Sequence, residues 1–82
     1  MKRYTHEELP AILAAHKLWD ETNGKEGIRA DFSGADLSYM NLDGASLDGA
    51  SLDGASLDGA SLRRASLVGA SLDGAKLADA NL

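Results

Sequence analysis

A repeat solenoid with one amphipathic helix in front of it is the fold class that this sequence predicts. Two observations carry the solenoid. An apolar residue stands at every fifth position from Phe32 to Leu82 without a break, and a small or apolar residue stands two places before each. A third observation carries the helix: Leu9, Ile12, Leu13, His16 and Trp19 follow the spacing of one helical face.

The period of five is the informative feature. Residues five apart on an α-helix rotate by about 140° per step and never form a stripe. On a flat strand an odd period sends alternate leucines to opposite faces. The pattern nevertheless runs through Phe32, Leu37, Leu42, Leu47, Leu52, Leu57, Leu62, Leu67, Leu72, Leu77 and Leu82, preceded by Ala30, Ala35, Met40 and then an unbroken series of alanines from Ala45 to Ala80. The remaining positions are mostly Ser, Asp and Gly, a composition that also occurs in disordered segments. A solvated linker, however, has no use for a strict apolar lattice. Fixed short periods belong to solenoids, in which each unit buries its apolar face only by stacking on the next.

The units "ADFSG", "ADLSY" and "MNLDG", the copies of "ASLDG", then "ASLRR", "ASLVG", "AKLAD" and a final "ANL" resemble the pentapeptide-repeat family, whose unit is roughly A-(D/N)-L-x-x. The resemblance covers residues 30–82. It implies an all-β solenoid, a right-handed quadrilateral β-helix of under three coils. One pentapeptide would form one side, with a turn at each corner and twenty residues to a coil. The leucine and the preceding alanine would point inward, making Phe32 and the ten leucines the structural core. Side chains twenty residues apart would then stack, Phe32 on Leu52 on Leu72, for example. Gly at the corners accommodates backbone angles that a Cβ would strain, and the exceptions Tyr39, Arg64 and Asp79 are expected at corners of another turn type.

Residues 1–29 are expected to form an N-terminal capping helix and turn, and residues 30–82 the repeat domain. Thr5 and Glu8 fit a capping box ahead of the helix. Pro10 lies beyond the first turn of a helix beginning at His6, so either that turn is distorted or the helix proper begins near Pro10. Asn23-Gly24 marks the stop. The helix is expected to lie across the open end of the solenoid, with Leu9, Ile12, Leu13 and His16 facing it and Trp19 plugging it. Leu18 points away from that face and reads as a single exposed leucine. Asp20 opposes the helix dipole and has no account at this level.

Chemistry is sparse. There is no cysteine, hence no disulfide framework and no thiolate metal site. No cofactor is expected. His6 and His16 lie ten residues apart without ligand partners at metal-binding spacing. Ser46, Ser51, Ser56, Ser61, Ser66 and Ser71 have no adjacent general base and occupy a repeating outward position. Asp43, Asp48, Asp53 and Asp58 fall on four different sides of a four-sided coil, so they read as solvated charge and not as a calcium site. Asp43 is expected under Arg63, and Asp53 under Asp73 with mild repulsion. The chain reads as no enzyme.

The formal net charge is −5, all of it from residues 30–82, since residues 1–29 balance to zero. An acidic surface disfavours nucleic acid, no apolar run approaches a membrane span, and a cytoplasmic protein is expected. The chain stops in mid-coil at Leu82, so Leu67, Leu72, Leu77 and Leu82 are expected near an uncovered end, where a second copy would cover them in a homodimer through the C-terminal coil. Family members are similar in often pairing that way. The function expected is a non-catalytic structural or interaction module whose protein partner is unknown. The alternative comes from the resemblance, since some acidic members look like duplex DNA and bind DNA gyrase. The near-identity of the "SLDGA" copies points to recent duplication or an engineered consensus.

Overall fold

The computed structural model describes residues 2–82. It contains one helix, α1 (Leu9–Glu21), followed by a stack of coils. The chain enters α1 through a reciprocal capping box. The Thr5 N–H donates to Glu8 Oε1 at 2.8 Å, and the Glu8 N–H donates to Thr5 Oγ1 at 3.1 Å. The turn over residues 6–8 follows, and the helix proper begins at Leu9 with Pro10 in its first turn. Proline has no N–H to leave unpaired there, which settles the question its position raised.

The C-terminal end of α1 is closed by a Schellman arrangement. Gly24 N–H reaches the Trp19 carbonyl at 2.8 Å, Asn23 N–H reaches the Asp20 carbonyl at 3.3 Å, and Asn23 sits in the left-handed region at φ 56°. Gly27 then brings the chain back against the helix. A Cβ there would lie 2.3 Å from the Ala15 carbonyl oxygen, so no other residue fits. Ile28 N–H donates to that same carbonyl at 3.1 Å.

From residue 31 onward the chain pairs with itself at an offset of twenty. Parallel bridges join Asp31 to Ser51, Asp36 to Ser56, Asn41 to Ser61, Ser46 to Ser66, and so on to Ser61 with Asn81. Between one bridge and the next lies a turn closed by a hydrogen bond, such as Ala45 N–H to the Leu42 carbonyl at 3.0 Å. Four such turns separate residues twenty apart, so each five-residue unit makes one side of a coil. Among the described residues only isolated bridges form, because a side of five residues spends most of its length turning and leaves about one residue extended.

Three backbone bonds per side tie successive coils. Leu42 N–H donates to the Ser61 carbonyl at 2.7 Å, Gly44 N–H to the Arg63 carbonyl at 2.8 Å, and Ser61 N–H to the Met40 carbonyl at 2.9 Å. The same register fixes the corners. Positive φ only at the third turn residue is the type II pattern that glycine favours. Tyr39, Arg64 and Asp79 adopt it too, with φ of 63°, 61° and 57°. The expected different turn type is therefore absent. Stacking on the corner twenty residues away imposes one geometry, whatever residue occupies it.

Residues 2–4, which carry no signal in the sequence, add a rung beneath the first full coil. A parallel bridge joins Arg3 to Asp36, and the Asp36 N–H donates to the Lys2 carbonyl at 2.7 Å. Arg3 adds an ion pair to Asp36 at 3.2 Å and a bond to the Ser38 carbonyl at 3.0 Å. Tyr4 meets Phe32 edge to face with ring centres 5.2 Å apart. No described helix is long and apolar enough to cross a membrane.

Candidate functional site

Three regions carry the side chains singled out in the sequence: the N-terminal closure, the outer ladders and the C-terminal end. At the closure, Leu9 and His16 are buried, while Ile12 and Leu13 are half-buried against the core. His16 is fully enclosed. Its Nδ1 accepts the Ala30 N–H at 2.9 Å, so Nε2 carries the proton and donates to the Asp48 carbonyl at 2.7 Å. Those two bonds replace two backbone bonds found at other sides. Gly34 N–H donates to the Asp53 carbonyl, and the Ala35 N–H finds the Phe32 carbonyl. At the side preceding Ala30 the imidazole supplies the equivalent donor and the equivalent acceptor. His16 is thus the residue that joins α1 to the coils.

The placement of Trp19 corrects the expected plug. Its ring is half-buried, stacks on His16 with centres 5.4 Å apart, and lies over the corner at Gly49, where a Cβ would come within 3.1 Å of it. Arg29 covers its outer side at 5.9 Å and donates through Nε to the Gly49 carbonyl at 2.6 Å. Trp19 therefore seals the rim, and the end is filled by Leu9 and His16 with Tyr4 beside Phe32. Leu18 is exposed. Asp20 is exposed, and nothing around it explains its position.

The outer aspartates and serines form ladders between coils, a correction to their reading as solvated charge. Asp43, Asp48, Asp53 and Asp58 each accept, through Oδ1, the backbone N–H of the residue twenty places on, at 2.9 to 3.0 Å. Ser61, Ser66 and Ser71 donate their hydroxyls to the first three of these same oxygens. Asp43 does not pair with the Arg63 guanidinium; it takes the Arg63 N–H. The guanidinium instead reaches the Asn81 amide oxygen at 2.7 and 2.8 Å, with the amide turned to face it.

In the first coil the same turn N–H is served locally. Asp31, Asp36 and Asn41 accept the N–H of Ser33, Ser38 and Asp43, two residues along, at 3.0 Å. The side-chain hydroxyl and then the backbone N–H of Ser33 and Ser38 hold the Asp31 and Asp36 carboxyls below the usual aspartate range. Thr5, through its backbone N–H and then its hydroxyl, does the same for Glu8.

The leucine column changes along its length. Phe32, Leu37, Leu42, Leu47, Leu52, Leu57 and Leu62 are at most 3 % exposed, Leu67 and Leu72 are partly buried, and exposure reaches 38 % at Leu77 and 72 % at Leu82. Met40 is buried among the alanines of its position. Leu77 and Leu82 therefore stand at an open apolar end of the described chain, with Leu67 and Leu72 partly covered against the core. Ser33 and Ser38 face Ser51 and Ser56, and Ser61, Ser66 and Ser71 face the aspartates.

Compared with known proteins, the chain matches a family model described as pentapeptide repeats, in eight copies over residues 28–64 and 45–82. No curated protein matches it.

Proposed function

The chain belongs to the pentapeptide-repeat family, and on that premise we propose that it is a non-catalytic, self-associating interaction module. In this reading the coils form a right-handed, four-sided β-helix of under three coils. Helix α1 closes one end, and two copies pair tail to tail through the other, leaving the helices outermost. The observation that carries the proposal is the exposure of the leucine column, which climbs from 3 % at Leu62 to 72 % at Leu82. Each leucine returned to an apolar surrounding contributes roughly 1.5–3 kcal/mol. An open coil end also presents unpaired backbone groups, which natural proteins cover. A two-fold interface covers both ends with one surface.

Sedimentation velocity of the 82-residue chain across a concentration range tests this. A two-chain species at tens of micromolar that Leu77→Asp converts to single chains supports it; single chains throughout refute it.

The second reading, an acidic mimic of duplex DNA that binds a topoisomerase, draws on the six aspartates and absence of basic residues over residues 30–62. The length of the stack weighs against it, since under three coils at about 4.8 Å each make a rod of only about 13 Å. In a gyrase supercoiling assay the interaction module is silent, and inhibition would favour mimicry.

A further inference from the structure

From Asn41 onward the outward positions repeat Ser, Asp and Gly almost without change, so the exceptions mark themselves. They are not spread evenly. Bridges join Asn41 to Ser61 and Ser61 to Asn81, so residues 41–44, 61–64 and 81–82 form one wall of the stack. That wall holds Asn41, Asn81 and both arginines of the repeat, Arg63 and Arg64. Val68, Lys76 and Ala78 are the exceptions that lie on other walls. The non-glycine corners gather at the same place. Tyr39 and Asp79 stand in the column of corners along one edge of this wall and Arg64 stands on its other edge, with φ of 63°, 57° and 61°. Backbone held in a costly region around one wall points to a function for that wall.

At the Arg64 edge the wall opens into a cleft of about 360 Å³, lined by Asp43, Gly44, Arg63 and Arg64. Two adjacent guanidinium groups border it. Arg63 is already oriented, because its Nε and Nη2 both donate to the Asn81 amide oxygen, while Nη1 has no partner among the described residues. The Arg64 side chain is exposed and has no partner among them either. Asp43 spends Oδ1 on the Ser61 hydroxyl and the Arg63 N–H, and leaves Oδ2 open. The cleft therefore offers planar donors suited to an oxyanion, with one acceptor beside them. Its volume is that of a small-molecule site.

We propose that this cleft binds a small ligand carrying a carboxylate or phosphate group with a hydrogen-bond donor next to it. The two guanidinium groups take the oxyanion and Asp43 takes the donor. Asp43 alone opposes the anion, and the two arginines outweigh it. The inner coils do not compete for such a ligand, since residues 30–62 hold six aspartates and no basic residue and like charge keeps an anion away. The site lies on the wall and not at the open end, so it does not depend on the self-pairing proposed above.

Titration of the isotope-labelled chain, followed by NMR at fixed ionic strength, tests it with two pairs of probes. Inorganic phosphate is paired with phosphoethanolamine, and acetate with glycine. Saturable shifts are expected at the Gly44, Arg63 and Arg64 amides and at the arginine Nε–H signals, and the pair that binds more tightly names the anion. In that pair the second probe adds an ammonium for Asp43 and binds more tightly than the first. Arg64→Gly restores the corner residue of the other units and so keeps the fold, and it weakens binding by about tenfold. Asp43→Asn keeps an acceptor for the Arg63 N–H and removes the charge, so the advantage of the ammonium-bearing probe disappears while the plain anion still binds. Shifts that never saturate, that spread evenly along the chain, or that persist unchanged in Arg64→Gly overturn the proposal. Plain anions that bind as tightly as their ammonium-bearing partners overturn the part given to Asp43.

Discussion

Asp53 and Asp73, two carboxylates stacked twenty residues apart, are joined by a hydrogen bond: Asp53 Oδ1 accepts the Asp73 backbone N–H at 3.0 Å. What the sequence presents as a repulsive pair is a rung, because the lower carboxylate is spent on the upper backbone and the Ser71 hydroxyl. Asp53→Ala removes the acceptor and is expected to cost about 1 kcal/mol. Asp53→Asn keeps an acceptor oxygen and costs less. Asp58→Lys, at a position that reads from sequence as free surface, is expected to cost about as much as the alanine variant, because the Ala78 N–H loses Asp58 Oδ1. Urea denaturation of the three variants measures the order.

The corners give a prediction of opposite sign at two kinds of residue. Arg64 holds φ at 61°, where a Cβ is strained by about 1–2 kcal/mol. Gly54 holds φ at 69°, and a Cβ added to it would meet no atom nearer than 3.9 Å. Arg64→Gly is therefore expected to stabilise the chain by about 0.5–1 kcal/mol after the entropy of the unfolded glycine is counted. Gly54→Ala is expected to destabilise by about 1 kcal/mol through the backbone alone. Thermal melts that move both variants in the same direction would contradict the shared corner geometry.

How far the sequence foretold these features depends on the length scale of each. The stop at Asn23-Gly24 and the Thr5–Glu8 box are local chemistry, and both are legible. The length of a side is legible because the leucine period states it. The aspartate rungs are not, since they join a side chain to a backbone N–H twenty residues away, and every residue except proline has such an N–H. Tyr39, Arg64 and Asp79 mislead because residue type is only a preference, while the stack fixes φ from outside. Residues 2–4 are too few to carry a period. His16 shows only its apolar-face position in sequence, and its two-sided role emerges when the side before Ala30 lacks its own backbone bonds.

That role makes His16 a sensitive position. His16→Phe keeps a ring of similar size yet leaves the Ala30 N–H and the Asp48 carbonyl without the partner that now serves both. Leaving buried polar groups unpaired costs about 1–3 kcal/mol apiece, so a loss of about 2–4 kcal/mol is expected. Hydrogen exchange should place the loss at the closure, with Ala30 exchanging much faster while Ala60, deep in the stack, changes only by the fall in global stability.

Acid should weaken the N-terminal half of the molecule. The Glu8, Asp31 and Asp36 carboxyls are held below their usual range, Glu8 by Thr5 and the aspartates by Ser33 and Ser38. A carboxyl whose folded pKa is depressed adds stability that is fully present above its unfolded pKa and is lost as pH falls through the folded one. The window therefore opens near pH ~4, the ordinary carboxylate value, and extends downward. Asp31→Asn/Asp36→Asn keeps the turn acceptor that Asn41 already provides in this chain and removes two of the three titrations. Its denaturation midpoint should fall less steeply than that of the wild type between about pH 5 and about pH 2, with measurements at fixed ionic strength.

The leucine column predicts that one substitution has two outcomes according to place. Leu57 is 1 % exposed between Leu37 and the coil above, and Leu82 is 72 % exposed. Leu57→Lys loses the transfer energy of a buried leucine, roughly 1.5–3 kcal/mol, and puts an ammonium among alanines and leucines that offer it no partner. The chain would have to bury that charge, neutralise it or open the stack, and each route is costly. A loss above about 4 kcal/mol is expected, enough to unfold a domain of this size. Leu82→Lys exposes a charge where water already reaches, so the single chain should keep its melting temperature when measured at concentrations low enough to prevent association. Melts of the two variants at sub-micromolar concentration decide the matter: comparable losses would mean that the column is covered at Leu82 as it is at Leu57, and that the end is not open.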